Sequence, residues 1–446
     1  MLTEEERKIG RRAFLQAAAT LPVLGAFGWA AYSKAAHDRP VQAGIIGAGA
    51  EGRVLLENAP AKLIEFRAVA DIRPDSREAA RAVISTRWGK EPEMFPGDYR
   101  KLLERDDLEA VVIATPLWMH APMTLAALNA GKHVFCEKTM ALKVADAKRM
   151  WQAARSQHRV LQIGHQRHAN KLYHWALGMI KQGRIGDVYH VRTLWHRNSD
   201  WRRELPSPEE LKAMDPSFSA EKWGYGSLEE LVNWRLYRKY SDGLMGELGS
   251  HQIDVVNWFA GTVPKRVLTS GGVYAYDDGR NVADHIFATY EYPGGDLCPT
   301  GLTATFSAIT TNKLDNYYEQ FMGTKGTIII SGEGEGMLFS ESDDQATSIA
   351  LDKATSGKPL LAASASRLAD ASSGQAAATA AGPGRQIDRL EPYAKELEAF
   401  CSAIKYGTDV PCSPQAALAA AVAVSGANEA ADKKQAVELP ASLYQI

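Results

Sequence analysis

From residue 41 to 138 the chain alternates short apolar runs with amphipathic stretches. Val41-Gln42-Ala43-Gly44-Ile45-Ile46 predicts a buried strand, and Phe66-Arg67-Ala68-Val69-Ala70 predicts a second that ends at Asp71. Ala110 to Ala114 predicts a third, stopped by Pro116, and Lys132 to Lys138 a fourth. Between them lie helical stretches beginning at Arg53, at Asp98, and at Pro122, the last ending at Gly131. Strands that alternate with helices in this rhythm predict a parallel, doubly wound sheet. Beyond residue 262 the period changes to two. Arg266–Tyr276, Ala283–Tyr292, Gly301–Ile309 and Tyr317–Ile330 read as strands of a second, open sheet. Residues 340–386 are rich in Ala, Ser, Gly and Asp, a composition expected of a surface excursion without chemistry. Glu391–Lys405 and Gln415–Ala431 have the spacing of helices packed back on the body.

The composition narrows the class. Of 446 residues, 45% are hydrophobic and 23% charged, which excludes a disordered chain and a polytopic membrane protein. Lys+Arg 51 against Asp+Glu 53 gives a net charge of -2, without the basic excess of a nucleic-acid binder. Cys136, Cys298, Cys401 and Cys412 are too few for a disulfide scaffold; Cys401 and Cys412 could bridge, but buried free thiols are the preferred reading.

The first 37 residues read as an address. Arg11-Arg12-Ala13-Phe14-Leu15, followed by a weakly apolar run from Ala17 to Tyr32, resembles a twin-arginine export signal. Pro22, Gly25 and Gly28 would disrupt an ordinary packed helix there. The expectation is an exported, periplasmic protein that meets the twin-arginine machinery already folded. Retention by an uncleaved segment stays open.

The first strand runs directly into Gly47-Ala48-Gly49-Ala50-Glu51-Gly52, a G-x-G-x-x-G in the strand–turn–helix setting it requires. Gly47 permits the turn, Gly49 lets a diphosphate approach the backbone, and Gly52 lets the helix pack closely. Ala50 and Glu51 open the helix whose free N–H groups would hold the phosphates. Asp71, at the end of the second strand, stands where an acid bonds the adenosine ribose. Its charge disfavours a 2′-phosphate, so NAD is expected over NADP, although Arg73 and Arg77 could offset it.

Four stretches together resemble the glucose–fructose oxidoreductase / inositol dehydrogenase / MocA family. They are Gly47–Gly52; Ile113-Ala114-Thr115-Pro116 with His120; Gly131 to Lys138; and Gly243 to Asp254. The resemblance runs from about residue 40 to 330. It implies an α/β chain: a Rossmann domain at 38–165, then a C-terminal α/β domain at 166–446 with a large open, mostly antiparallel sheet used for homo-oligomer contacts. It also implies that Thr115, Pro116, His120, Glu137 and Lys138 lie along the cofactor. Lys138, Glu247 and His251 take the catalytic positions. The chemistry suits these residue types: an imidazole removes a hydroxyl proton near neutral pH, and an ammonium stabilises the growing alkoxide. A buried core histidine is the alternative for His251. On one helix Glu247, His251 and Asp254 share a face, so an acid could orient the imidazole. His251 and Asp254 also have ligand spacing, but the sequence offers no further cluster and no metal is expected. Two departures stand out: Thr139 replaces the family proline after Lys138, and Glu247 replaces an aspartate.

The segments around His165, Arg167, Trp195, Trp234 and Arg235 are dense in aromatic and polar groups. With Asp254 they are expected to bind substrate. Indoles stack on sugar rings while Arg, Asn and His bond hydroxyls, which points to a sugar or glycoside. The expectation is an exported NAD(P)-dependent oxidoreductase with a tightly bound nucleotide. The alternative is a redox-neutral hydrolase or lyase acting through transient oxidation and β-elimination.

Overall fold

The computed structural model describes residues 39–341, 343–351, 359–365 and 390–446. The export segment and most of the Ala/Ser-rich stretch lie outside the described residues. Among the described residues no helix is long and apolar enough to cross a membrane.

The first sheet contains β1 (Val41–Ile46), β2 (Ile64–Asp71), β3 (Glu93–Pro96), β4 (Ala110–Ile113), β5 (His133–Glu137) and β6 (Leu161–Gly164). Their order is β3-β2-β1-β4-β5-β6, and every pairing is parallel. β1 and β4 are buried at every position, the signature of strands covered on both faces. The covering helices include α1 (Ala50–Asn58), α2 (Pro74–Trp88), α3 (His120–Asn129) and α4 (Val144–Ser156). Strand order reverses between β2 and β4 around β1, so a crevice opens at the carboxyl ends of these strands.

The second sheet has ten strands: β7 (Val188–His196), β8 (Arg266–Gly272), β9 (His285–Tyr292), β10 (Leu302–Ile309), β11 (Tyr317–Gly323), β12 (Gly326–Ser331), β13 (Glu335–Ser340), β14 (Asp343–Leu351), β15 (Pro359–Ala365) and β16 (Val437–Glu438). Only β7 and β10 pair in parallel; the remaining pairs are antiparallel. The expected excursion at 340–386 is thus partly sheet, since β14 and β15 extend the edge. Small residues suffice there because an edge strand is held by its backbone bonds.

Helices α5 (Lys171–Lys181), α6 (Ser250–Ala260), α7 (Glu391–Tyr406) and α8 (Pro414–Lys433) complete the framework. Helix α8 packs against β8, α6 and α4, tying the second sheet to the first domain. Helix α7 joins the first domain's core although it comes late in the chain. Leu397, Phe400 and Cys401 are buried with Val41, Phe66 and Phe135, and Gln162 Nε2 donates to the Glu396 carbonyl at 2.9 Å. All four cysteines are buried and free, so Cys401 and Cys412 do not bridge.

Candidate active site

A cavity of about 650 Å³ runs along the crevice and into the second domain. Its first half is built by the glycine turn, where each glycine answers a different need. Gly47 has φ +87 and a Cβ there would meet the Ala114 backbone at 2.7 Å. A Cβ on Gly52 would lie 2.3 Å from the Gly47 carbonyl oxygen, so only glycine lets α1 sit so close. A Cβ on Gly49 would meet nothing within 4 Å: it faces the cavity, and the space beside it suits a diphosphate. No side chain caps α1, so its leading N–H groups are left for an anion. Gly49→Leu is therefore expected to fold with a cost of about 1 kcal/mol or less. It should weaken NAD binding roughly 10–100-fold by filling the phosphate space, measured by titration against thermal melting.

Asp71 accepts the Ala48 N–H at 2.6 Å and the Arg73 N–H at 2.7 Å, which fixes its carboxylate at the mouth of the crevice. The two arginines that could have received a 2′-phosphate are already engaged. Arg73 pairs with Asp75, and Arg77 reaches Asp215 at 2.7 Å. That arrangement favours NAD over NADP. Ala50, Glu51, Thr115, Pro116, His120 and Glu137 also line the cavity, as the motifs predict. His120 braces the floor, its two ring nitrogens lying 2.9 Å from the Thr115 carbonyl and 2.8 Å from that of Thr139.

The second half of the site is a junction between the end of β5 and the turn before α6. Met245–Gly249 forms a wide five-residue (π) turn, which leaves carbonyl groups outside the normal helical ladder. Lys138 Nζ donates to the Glu247 carbonyl at 3.1 Å. The Gly246 carbonyl accepts from the Thr139 hydroxyl at 3.0 Å and from the Ser250 hydroxyl at 2.6 Å. Thr139, which replaces the family proline, thus staples the two motifs with a bond proline could not make; the Lys138–Thr139 peptide is cis. The substitution leaves Lys138 facing the cavity.

Glu247 and His251 both line this cavity, but the acid does not orient the imidazole. The longer glutamate arm reaches Arg235 instead, with Nε to Oε2 at 2.7 Å. Burial pushes the Glu247 carboxyl up, yet Arg235 and Lys138 outweigh it and bring it down to about 2. His251 is buried, its Nδ1 has no partner, and burial together with Lys138 holds it well below the usual imidazole range. It is a neutral imidazole near pH 7. The structure therefore shows an uncharged imidazole where acid support was expected.

Trp195, Trp234 and Arg235 line the cavity as expected. Trp195 stacks on Tyr317 at 4.4 Å and stands 5.6 Å from the His251 ring, while Arg235 lies over Trp234 at 4.3 Å. His165, Arg167 and Asp254 do not line it; they form the layer behind. Arg167 is 1% exposed, with Nε on Glu333 at 3.0 Å and a second contact to Glu319. Asp254 lies 2.8 Å from His168 Nε2, and its nearer oxygen is 3.5 Å from His165. Buried partners hold Arg167 and Asp254 away from the cavity, whereas His165 keeps both ring nitrogens without a hydrogen bond and stands 6.3 Å from the His251 ring. Arg167→Met, which strands two buried carboxylates, is expected to cost about 3–5 kcal/mol in denaturant unfolding, with NAD affinity of the folded fraction retained. The layer also brings Cys412 within 4.8 Å of His165 and Asp254, a grouping of ligand-type atoms that sequence spacing did not reveal. Tyr393, from α7, is a further unforeseen member of the cavity wall.

Comparison with known proteins places these features in context. Residues 41–165 match the model of an oxidoreductase family's NAD-binding Rossmann fold, and 178–439 match that family's C-terminal alpha/beta domain. Levoglucosan dehydrogenase of Pseudarthrobacter phenanthrenivorans is 25% identical over 297 residues, covering 61% of this chain and 67% of that protein. A glycosyl hydrolase family 109 protein of Shewanella sp. (strain W3-18-1) is 30% identical over 170 residues, which spans 36% of each chain. The solved structure of levoglucosan dehydrogenase with NADH and levoglucosan superposes with a TM-score of 0.66 at 20% identity, covering 90% of this chain and 99% of that one.

Proposed function

From the premise that the chain belongs to the Gfo/Idh/MocA oxidoreductase family, with its NAD-binding domain, we propose that it oxidises a sugar or glycoside hydroxyl. The observation that carries this reading is the shared cavity: Lys138 and His251 line the same space as the open face of Gly49. NAD, when bound, supplies the acceptor for the hydride that leaves carbon. His251 takes the hydroxyl proton as a neutral base. Lys138, tethered to the Glu247 carbonyl, donates to the hydroxyl oxygen and stabilises its negative charge as the carbonyl forms. Glu247 and Arg235 neutralise each other and fix the turn that carries both groups. Trp195 and Trp234 line the space that a sugar ring would take.

The amino-terminal address adds export through the twin-arginine route to the periplasm. No NAD pool supports turnover there, so the nucleotide stays bound and a second sugar or carbonyl compound reoxidises it in a ping-pong cycle. The open sheet, with Leu268 and Phe287 exposed on one face, suits contact between copies of the chain. Protein purified from the periplasm should carry NAD by mass spectrometry; recovery free of NAD counts against this arrangement.

The likeness to a family 109 glycosyl hydrolase favours a second reading, in which the oxidised sugar eliminates a substituent and the hydride returns. Aryl glycosides separate the two. Keto-sugar formation that requires an added acceptor supports the oxidoreductase, and aglycone release without one supports the redox-neutral reaction.

A further inference from the structure

Beyond His251 the cavity wall carries a cation that pairs with no carboxylate among the described residues. Arg197 follows β7; its guanidinium lies 4.8 Å from the Trp195 ring centroid and 5.8 Å from that of Trp201. Trp195 is itself 5.6 Å from His251, so Arg197 stands one indole away from the candidate base. Among the described residues its side chain has no hydrogen bond or ion pair. Neighbouring arginines are paired: Arg235 with Glu247 at 2.7 Å, Arg202 with Asp278 at 3.1 Å, and Arg280 with Asp278 at 2.6 Å. Arg203 also faces the cavity without a carboxylate, but it stands among Arg53, Arg73 and Arg235, toward the glycine turn where the diphosphate would lie.

The charge around Arg197 is not offset from elsewhere. Its surroundings disfavour the cation chiefly by burial, and Glu247, the acid that opposes this, is committed to Arg235. Glu137 and Glu51 also line the cavity, and burial raises both carboxyls above their ordinary range. Glu333, the remaining glutamate on the lining, is paired with Arg167 at 2.9 Å, so among the described residues none of these carboxylates pairs with Arg197. A neutral sugar would strip water from Arg197 and return only hydroxyl contacts, whereas an oxyanion matches the planar guanidinium in charge and shape.

We infer that the substrate is an anionic sugar, whose carboxylate or phosphate is held by Arg197 while its ring lies along Trp195. The inference rests on reading this cavity as the site of sugar oxidation. Calorimetric titration of the NAD-loaded full chain tests it with three probes: D-glucuronate, D-glucose phosphorylated on its primary hydroxyl, and D-glucose. At least one anion should bind roughly 10–100-fold more tightly than glucose. Preference for glucuronate identifies a carboxylate; preference for the phosphorylated sugar identifies a phosphate. In Arg197→Gln the ratio of affinities should collapse toward one, and Arg197→Lys should retain part of it. Neither anion exceeding glucose in the wild type, or an unchanged preference in Arg197→Gln, overturns the inference. The wild-type comparison stands without either variant. Binding is read without turnover, so anion binding unaccompanied by nicotinamide reduction counts against the oxidoreductase reading and not against Arg197.

Discussion

Replacing His251 with alanine is expected to slow turnover by about 10²–10⁴-fold while leaving NAD bound, because among the described residues the variant loses the one imidazole lining the cavity beside Lys138 other than the braced His120. The pH profile carries the sharper expectation. Burial, Lys138 and Arg167 hold the imidazole well below its ordinary value of about 6.5, so the basic form dominates at neutral pH. The rate should stay level as the solution is acidified through that value, and fall only as the pH passes through the lowered pKa. Steady-state kcat against pH checks this. A fall centred on the ordinary histidine range would mean that His251 is solvated or acid-paired during turnover, contrary to its burial beside Trp195.

Lys138→Met should lower kcat by about 10²–10³-fold, the usual effect of removing one donor from a developing oxyanion. The change keeps an unbranched side chain one atom shorter and removes its charge. It also withdraws one of the groups that hold Glu247 low; Arg235 remains bonded at 2.7 Å, so the carboxylate stays ionised and the turn keeps its anchor. The deficit is therefore expected in kcat more than in KM, with thermal stability little changed. His251 should gain a proton more readily in this variant, because Lys138 is the largest nearby charge opposing it. A pH profile whose acid limb moves upward in Lys138→Met would report the two groups' proximity independently of the rate.

Much of the first domain was legible because its signals are local. The strand before Gly47, the glycine turn and Asp71 lie within one strand–helix–strand unit, and each residue's backbone role follows from short-range sterics. The joint presence of Lys138, Glu247 and His251 was legible from the family resemblance. Their pairing was not. Glu247 lies four residues from His251, yet its carboxylate turns to Arg235, twelve residues earlier in a short 3-10 turn. Arg167 looked like a substrate ligand because it directly follows the last strand of the first domain; its true partners, Glu319 and Glu333, are 152 and 166 residues away. Asp254 sits on the expected helix but faces His168 across a buried layer. Helix α7 shows a regular apolar stripe, which predicts packing but not against what. Only the fold places Leu397 and Phe400 beneath the parallel sheet and Tyr393 at the cavity. The stretch after residue 340 misled for the opposite reason, since β14 and β15 need only an available sheet edge and carry little apolar alternation.

Rapid mixing of the NAD-loaded protein with a sugar it binds, followed by the near-ultraviolet absorbance of reduced nicotinamide, tests the chemistry most directly. The wild type should show a burst matching its NAD content, and Lys138→Met and His251→Ala should bind both ligands yet show none on that timescale. A burst of wild-type rate in both variants, or none in the wild type with any sugar it binds, would contradict the account.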